Sequence, residues 1–320
     1  MRAEIEAIRF GVALHRADHV VGIRISGPEA FEVVDALSPR PLYIRDGQML
    51  PAIVLNDDGT VFADLMICAD DLDWLLFLEG PSPSDALARL LPFAEGLDAT
   101  CAIEPHVMWQ LHGPYAWECL ADLIGPEVVG IPYLTHFLLD PLSRGICFRS
   151  GKTGEFGYEL WVPPDEEDPV LKALRGAAGR FDAVEVGLEA LDLCALETGF
   201  YSIRHPAVQG LSVPELQLLW RVELDRDVPG MEAVRAARHP AQRLTWVRSE
   251  RPFPGGLRSP LLEAWIGLRL VDRERAWPGV DLGDAVTTHP PLLWNRSLHI
   301  DAQKHSWASR ELDDLPDVRP

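Results

Sequence analysis

The sequence predicts an α+β protein built from two related α+β modules and a smaller all-β unit at the C-terminal end. An internal repeat is the first observation: residues 25–38 (ISGPEAFEVVDALS) and 111–125 (LHGPYAWECLADLIG) both read as strand, Gly-Pro turn and helix. Two copies of one supersecondary unit imply two similar modules packed against each other. The second observation is a change near residue 206, where prolines become frequent and helical periodicity fades.

The first module is predicted over residues 1–100. Alternating apolar and polar residues predict its first strand, and proline after the turn suits a helix N-terminus. The turn Asn56-Asp57-Asp58-Gly59 between two apolar runs is typical of a hairpin, and a serine caps the last helix. In order, the predicted elements are a strand at 19–27, a helix at 28–38, a hairpin at 52–71, a strand at 72–80 and a helix at 82–97.

The second module is predicted over 101–205, and the remainder, 206–320, is predicted to be a linker and a shortened β-barrel. The second module begins with the strand and helix of the repeat, and its last helix ends at a glycine. Its predicted elements are strands at 101–113, 144–151 and 156–163 and helices at 115–125, 165–179 and 186–200. In the third unit, the segments WIGLRLVDRE, GDAVTT and RSLHIDAQ read as short strands.

Composition narrows the possible functions. The chain has 320 residues, 47% of them hydrophobic, and a formal net charge of −20, which disfavours nucleic acid and anionic membrane surfaces as partners. No apolar run reaches the roughly 18–20 residues of a membrane helix, and the first ten residues lack a signal-peptide core. The five cysteines are scattered without a Cys-x-x-Cys pair, so we expect reduced thiols, a cytoplasmic location and no zinc cluster.

Residues 149–163, RSGKTGEFGYELWVP, place a glycine-rich turn directly before a strand. Alternation puts Glu159 and Trp161 on one side of this strand and Tyr158, Leu160 and Val162 on the other. A carboxylate and a tryptophan on one face have two interpretations. Either the face is exposed to solvent, or a ligand lies there that needs both a charged acceptor and an aromatic wall.

Several motifs, in order along the chain, resemble the aminomethyltransferase family, typified by the T-protein of glycine cleavage. The turn-strand motif of 149–160 is the most specific, and the likeness covers roughly residues 8–300. The matching segments are AIRFGVALHRADHVVGIRISGPEAF, VLNDDGTVFADLMI, LHGPYA, RSGKTGEFGYEL, GLEALDLCALETG, PELQLLWRV and GDAVTTHPPLLWNRSLHIDA. The resemblance implies three lobes around a central cavity that holds tetrahydrofolate, with the two α+β modules ferredoxin-like and the third lobe a small β-barrel.

The resemblance also implies roles for individual residues. Glu159 stands where the family's glutamate binds the pteridine ring, and a carboxylate accepts two adjacent N–H groups of a pterin in a fork. Asp64 stands at the family's essential aspartate, which orients the folate amine or stabilises developing positive charge. Trp161, Gly151 and Ala52 are further candidate cofactor contacts. Lys152 is another, with an exposed turn lysine as the alternative.

Five positions depart from the family pattern. Ala52 and Lys152 replace tyrosines, Glu79 replaces an asparagine, and Leu191 and Ala195 replace arginines of the helix. A smaller residue at position 52 makes room for a donor bulkier than an aminomethyl-lipoyl arm, or for a different tilt of the folate. We expect methyl transfer from a small O-, N- or S-methyl compound to tetrahydrofolate, because this reaction needs only the pteridine clamp and the acid. A non-catalytic folate-binding or accessory protein, and an enzyme acting on a non-folate substrate, stay open as alternatives.

Three histidines are weaker candidates. His15 and His19 face the substrate side or are partly buried structural residues, and His289 lies on a loop that could face the cavity. The two N-terminal histidines lack a third ligand nearby and the family uses no metal, so we expect no metal site. A monomer or a homodimer is expected, with the small methyl donor as the remaining partner.

Overall fold

The computed structural model describes residues 1–311 and 314–319. Its first part forms one helix-covered sheet, with two further elements, α1 and β1, that precede it. The elements are α1 (Arg2–Phe10), β1 (Ala13–Arg16), β2 (Val20–Ser26), α2 (Ala30–Leu37), β3 (Met49–Leu55), β4 (Val61–Asp70), β5 (Asp73–Glu79), α3 (Pro83–Leu90) and β6 (Thr100–Ile103). The sheet has five strands in the order β3-β4-β5-β2-β6, and all its pairings are antiparallel.

A second, six-stranded sheet follows. Its region of the chain contains β7 (Val107–His112), α4 (Ala116–Ile124), β8 (His136–Leu138), β9 (Ile146–Phe148), β10 (Gly157–Val162), α5 (Glu167–Ala178), β11 (Val184–Glu185) and α6 (Leu188–Thr198). The strand order is β11-β1-β7-β10-β9-β8. The pairing of β1 with β11 is parallel and the others are antiparallel.

The two modules exchange strands, which the domain boundary predicted at 100/101 does not reflect. Strand β1 pairs with β7 of the second sheet, whereas β6 pairs with β2 of the first. The single strand predicted over 101–113 is therefore wrong. It is two strands in different sheets, separated at Glu104, Pro105 and His106, where proline cannot donate a ladder hydrogen bond.

The predicted internal repeat is present as β2-α2 and β7-α4. In both copies a glycine with positive φ precedes the helix, Gly27 at φ +120 and Gly113 at φ +124. A Cβ atom would lie 2.5 Å from the carbonyl oxygen of Asp98 at the first position and 2.3 Å from that of Gly11 at the second. Both turns therefore need glycine for conformation and for close backbone packing.

The C-terminal unit is a four-stranded antiparallel sheet. It follows α7 (Met231–Ala236) and contains β12 (Gln242–Ser249), β13 (Leu257–Ser259), β14 (Ala264–Asp272) and β15 (Val286–Thr288), in the order β13-β14-β12-β15. Within the described residues β13 and β15 are its two edges, so the sheet is open rather than a closed barrel. The strand predicted in RSLHIDAQ is a 3-10 turn at Arg296–His299 instead, because Glu155 binds the backbone and hydroxyl of Ser297 there.

Apolar clusters join these layers. Helices α2 and α3 cover one face of the first sheet, and α4 and α5 cover one face of the second. The other faces of the two sheets meet in a cluster that includes Phe77, Phe148 and Trp161. Helices α1 and α6 pack with the C-terminal sheet. No helix in the described ranges is both long and apolar enough to cross a bilayer.

Candidate functional site

A cavity of about 920 Å³ opens where the sheets meet, and side chains from all three sheets and from α6 line it. Its volume lies within the range of about 300–1,000 Å³ typical of small-molecule sites. Acidic residues, basic residues and aromatic rings share its wall. The acids that line it are Asp64, Glu79, Glu159 and Asp192, and the bases are Lys152, Arg204, Arg221, Arg243 and Arg273.

Two neighbouring strands carry an acid pair at the cavity wall. Asp64 on β4 lies directly opposite Glu79 on β5 in the antiparallel register. Lys152, from the loop between β9 and β10, reaches across from the second module and bridges them. Its Nζ atom lies 2.7 Å from Oδ2 of Asp64 and 2.6 Å from Oε1 of Glu79. Arg221 binds the other oxygen of Asp64, Oδ1, at 2.8 Å.

These contacts fix the charge states of the cluster. Burial by itself raises the pKa of Asp64, but the charges of Lys152 and Arg221 outweigh burial and hold that pKa well below its usual range. Burial lowers the pKa of Lys152, and the charges of Asp64 and Glu79 outweigh it, so the net pKa is raised. Asp64 is therefore a carboxylate, and Lys152 an ammonium, throughout the physiological range.

Glu159 occupies a more isolated part of the wall. It lies on β10 opposite Gln110 of β7, whose side-chain amide donates to Oε1 at 2.9 Å. Burial raises the pKa of Glu159, with hydrogen bonding and the nearby Lys152 charge acting against burial. A buried carboxylate is stabilised more by an additional N–H donor than a solvated carboxylate is.

The turn before β10 folds closely over the strand. A Cβ atom at Gly157 would lie 2.2 Å from the carbonyl oxygen of Ser150, so only glycine fits there. The turn places Gly151 and Lys152 on the cavity wall together with Glu159. The opposite end of the turn is anchored by Glu155, whose carboxylate accepts from Ser297 and binds the buried Arg9 at 3.3 Å.

Trp161 and Ala52 were predicted to contact the cofactor, but neither side chain lines the cavity. Trp161 shares a strand face with Glu159, but the first sheet covers it: it is 4% exposed and stacks on His106 with ring centroids 3.6 Å apart. Ala52 points the other way along β3, into the core under α2 and α3, while its neighbours Pro51 and Ile53 line the cavity. The small side chain at position 52 therefore makes no room in the cavity, and that expectation is wrong.

Two of the three candidate histidines line the cavity and one does not. His19 and His289 line the cavity, and His15 does not; its Nδ1 atom lies 2.9 Å from the carbonyl oxygen of Val186. Burial lowers the pKa of His19 to about 4, so this side chain is neutral at pH 7. His112 also lines the cavity, and burial lowers its pKa to about 3. Across residues 1–311 and 314–319, no three His, Cys, Asp or Glu side chains group closely enough to hold a metal ion.

Arg221 and Gln110 line the cavity but were not predicted as part of the site. Arg221 is the last residue of a short 3-10 turn in the irregular segment after residue 206, where periodicity gives no signal. Gln110 lies in the apolar strand β7, and its position three residues before the glycine of the repeated Gly-Pro turn could have indicated it. Arg204 also lines the cavity and forms an ion pair with Asp192 at 3.2 Å.

Comparison with known proteins identifies relatives over most of the chain. The family model described as "GCVT N-terminal domain" matches residues 1–226. An aminomethyltransferase of Thermotoga petrophila is 24% identical across 90% of this chain and 88% of its own length. An aminomethyltransferase of Chlorobaculum parvum is 29% identical across 70% of this chain and 63% of its own length. The crystal structure of glycine cleavage system aminomethyltransferase T from Bartonella henselae matches the fold with a TM-score of 0.81 at 20% identity, covering 91% of this chain and 88% of that one.

Proposed function

Because the chain belongs to the aminomethyltransferase family through its GCVT N-terminal domain, we propose that it transfers a methyl group from a small O-, N- or S-methyl donor to tetrahydrofolate. Members of this family are folate-dependent transferases of one-carbon groups, and this chain is one of them. The identity of the donor as a methyl compound, and with it a role as a demethylase, is a proposal.

The wall around Glu159 fits the pterin end of tetrahydrofolate. The 2-amino-4-oxo edge of a pterin presents adjacent N–H donors, and one carboxylate accepts both in a fork. Glu159 reaches the cavity from the middle of β10, and burial raises the pKa of its carboxyl group, so two further N–H donors would stabilise its ionised form. Gly151 lines the same wall without a side chain that would keep a flat ring away.

Asp64 is the residue we assign to the reacting end. Its carboxylate is held ionised by two cations, which also fix the direction of its two oxygens. A fixed carboxylate orients the amine of the acceptor and interacts with positive charge that develops on it. Tetrahydrofolate, when bound, supplies the nitrogen nucleophile. The chain's own contribution is then to hold donor and acceptor in line at near-contact distance.

The observation that carries this proposal is that Asp64 and Glu159, from different modules, line one cavity. The cavity is also mostly walled by apolar atoms and aromatic rings, among them Tyr201, Trp220 and Trp246. An apolar wall limits water around a reacting methyl group and strengthens the electrostatic contacts within the cavity.

Aminomethyl transfer is the second candidate, favoured by the names of the relatives in Thermotoga and Chlorobaculum. A folate-binding protein without turnover, and an enzyme acting on a non-folate substrate, are the other outcomes of the test. Isothermal titration with tetrahydrofolate separates folate users from the rest. Incubation with methylated donors, followed by detection of 5-methyltetrahydrofolate, then separates methyl transfer from binding alone and from aminomethyl transfer.

The proposal includes a cytoplasmic enzyme that is a monomer or a homodimer. All five cysteines are free thiols in the structure, which suits a reducing compartment. Light scattering coupled to gel filtration measures the oligomeric state directly.

A further inference from the structure

Lys152 places a positive charge at the end of the cavity where Asp64 lies. Its ammonium donates to Asp64 and to Glu79 at 2.7 Å and 2.6 Å. A lysine ammonium has three N–H donors, so these bonds leave one for a ligand in the cavity. The side chain is 36% exposed, and the exposed part lies on the cavity wall.

The surrounding charges leave this end of the cavity without net negative charge. Asp64 and Glu79 contribute two carboxylates, and Lys152 and Arg221 contribute two cations within 2.8 Å of them. A donor with a permanent positive charge, such as a sulfonium or a quaternary ammonium, therefore gains little attraction here. It would also have to approach the ammonium of Lys152 itself, at a distance where like charges repel.

We propose, on the basis of the proposed function, that the donor is a neutral methyl ether and that Lys152 is the catalytic residue that receives its leaving oxygen. As the methyl carbon bonds to the acceptor nitrogen, the carbon–oxygen bond of the ether breaks and its electron pair stays on oxygen. The third N–H of Lys152 donates to this oxygen and gives it a proton. An ammonium is suited to this task because negative charge develops on the leaving atom.

Asp64 transfers the proton of the acceptor nitrogen to Lys152. The acceptor nitrogen releases its proton to Asp64, and Oδ2 passes a proton back to Nζ of Lys152 through the hydrogen bond of 2.7 Å between them. The loss of the neighbouring positive charge makes Asp64 a stronger base at the moment when Lys152 gives up its proton. The sum is ether plus N–H giving alcohol or phenol plus N–CH₃, with no other reactant.

The same geometry argues against sulfonium and quaternary ammonium donors. Those donors leave as a neutral thioether or amine and develop no negative charge for Lys152 to stabilise. Glu79, directly opposite Asp64 in the sheet, holds the ammonium in place and offsets part of its charge. Lys152 is thus the residue that selects the O-methyl class from the three classes of donor.

The test uses 4-nitrophenol as a probe of the leaving-group position, because its ionised form absorbs visible light and its titration can be followed when bound. Bound to the wild-type protein, the pKa of the probe should fall by about one unit or more, as expected for an opposite charge within about 4–6 Å. Lys152→Met should abolish the shift and Lys152→Arg should retain most of it. Glu79→Gln should enlarge it, because it removes one of the two anions that offset the ammonium.

Calorimetric binding of tetrahydrofolate is measured on the same four proteins, so that the two proposals fail separately. If none of them binds tetrahydrofolate, the proposed function is wrong. If they bind it but the probe titrates identically in wild type and Lys152→Met, or does not bind, only the role of Lys152 is overturned. In turnover, Lys152→Met should lower methyl transfer from anisole at least 100-fold. Faster transfer from phenyltrimethylammonium or dimethylphenylsulfonium than from anisole in the wild type would overturn the donor class.

Discussion

Replacing Arg9 by methionine should destabilise the whole molecule, because this arginine is a fully buried cation that joins α1 to α6 and to the turn before β10. It lies on α1, and its guanidinium binds Glu197 of α6 at 2.9 Å and Glu155 at 3.3 Å, with all three side chains 0% exposed. It also donates to the carbonyl oxygens of Thr153 and Cys194, both at 2.8 Å.

The size of the effect follows from the groups that are left behind. Breaking a buried ion pair by removing one partner costs about 3–5 kcal/mol, because it leaves an uncompensated buried charge. Arg9→Met leaves two such carboxylates, of which Glu197 keeps a hydrogen bond of 2.7 Å from Ser259. We expect a loss of about 4 kcal/mol in the free energy of unfolding, measured by urea denaturation at pH 7.

The same helix offers a matched control. Arg2 pairs with Glu6 at 2.9 Å, but these side chains are 68% and 44% exposed. Arg2→Met should therefore leave the free energy of unfolding almost unchanged. A loss below 1 kcal/mol, or equal losses in the two variants, would refute the reasoning.

Three further predictions concern the cavity and its surroundings. Gly22→Ala should destabilise the protein by about 1–3 kcal/mol in urea denaturation, because a Cβ atom at this position would lie 1.8 Å from the ring of Trp161. A variant as stable as the wild type would contradict that packing. Asp64→Asn should spare tetrahydrofolate binding and lower turnover. Its difference in stability from the wild type should disappear as the pH falls below about 4, because a carboxyl group with a lowered pKa in the folded state contributes stability only while it is ionised. A difference that does not change with pH would count against the ion pairs. Glu159→Gln should raise the stability of the free protein at pH 8 but not at pH 4. Burial raises the pKa of Glu159, so the ionised carboxylate destabilises the folded protein. Equal stability of the variant and the wild type at pH 8 would contradict the burial of this side chain.

The sequence was sufficient for most of the architecture because the informative signals are local. Strand alternation, the Gly-Pro turns and the serine cap of α3, where Ser82 accepts from the backbone N–H of Asp85, all correspond to observed features. The exchange of β1 and β6 between the sheets was not predictable in this way. Strand pairing is non-local, and neither strand carries a residue that marks its partner.

Helix α1 was also missed, since its charged residues hide a buried stripe of Ile5, Ile8 and Arg9. A buried arginine reads as a surface residue until its two glutamate partners, 146 and 188 residues away along the chain, are known. Glu155 joins the turn before β10 to the C-terminal part of the chain, because its carboxylate accepts from the backbone N–H groups of Arg296 and Ser297.

The site was partly predictable for a related reason. Asp64 and Glu159, the two residues that the motifs singled out, both line the cavity, since each lies within a turn-and-strand pattern that fixes its face. Alternation along β10 gave the correct face for Trp161 as well, but not the fact that the first sheet covers that end of the strand. For Lys152 the pattern could not distinguish a surface lysine from one that reaches two carboxylates on another module.

The central claim is that Glu159 holds a pterin in the cavity, and titration calorimetry with tetrahydrofolate tests it most directly. The wild-type protein should bind, and Glu159→Ala should raise the dissociation constant well over tenfold. Glu185→Ala should bind as the wild type does, because Glu185 lies on the same sheet, outside the cavity, in a surface pair with Arg175. A dissociation constant for Glu159→Ala equal to that of the wild type would contradict the account.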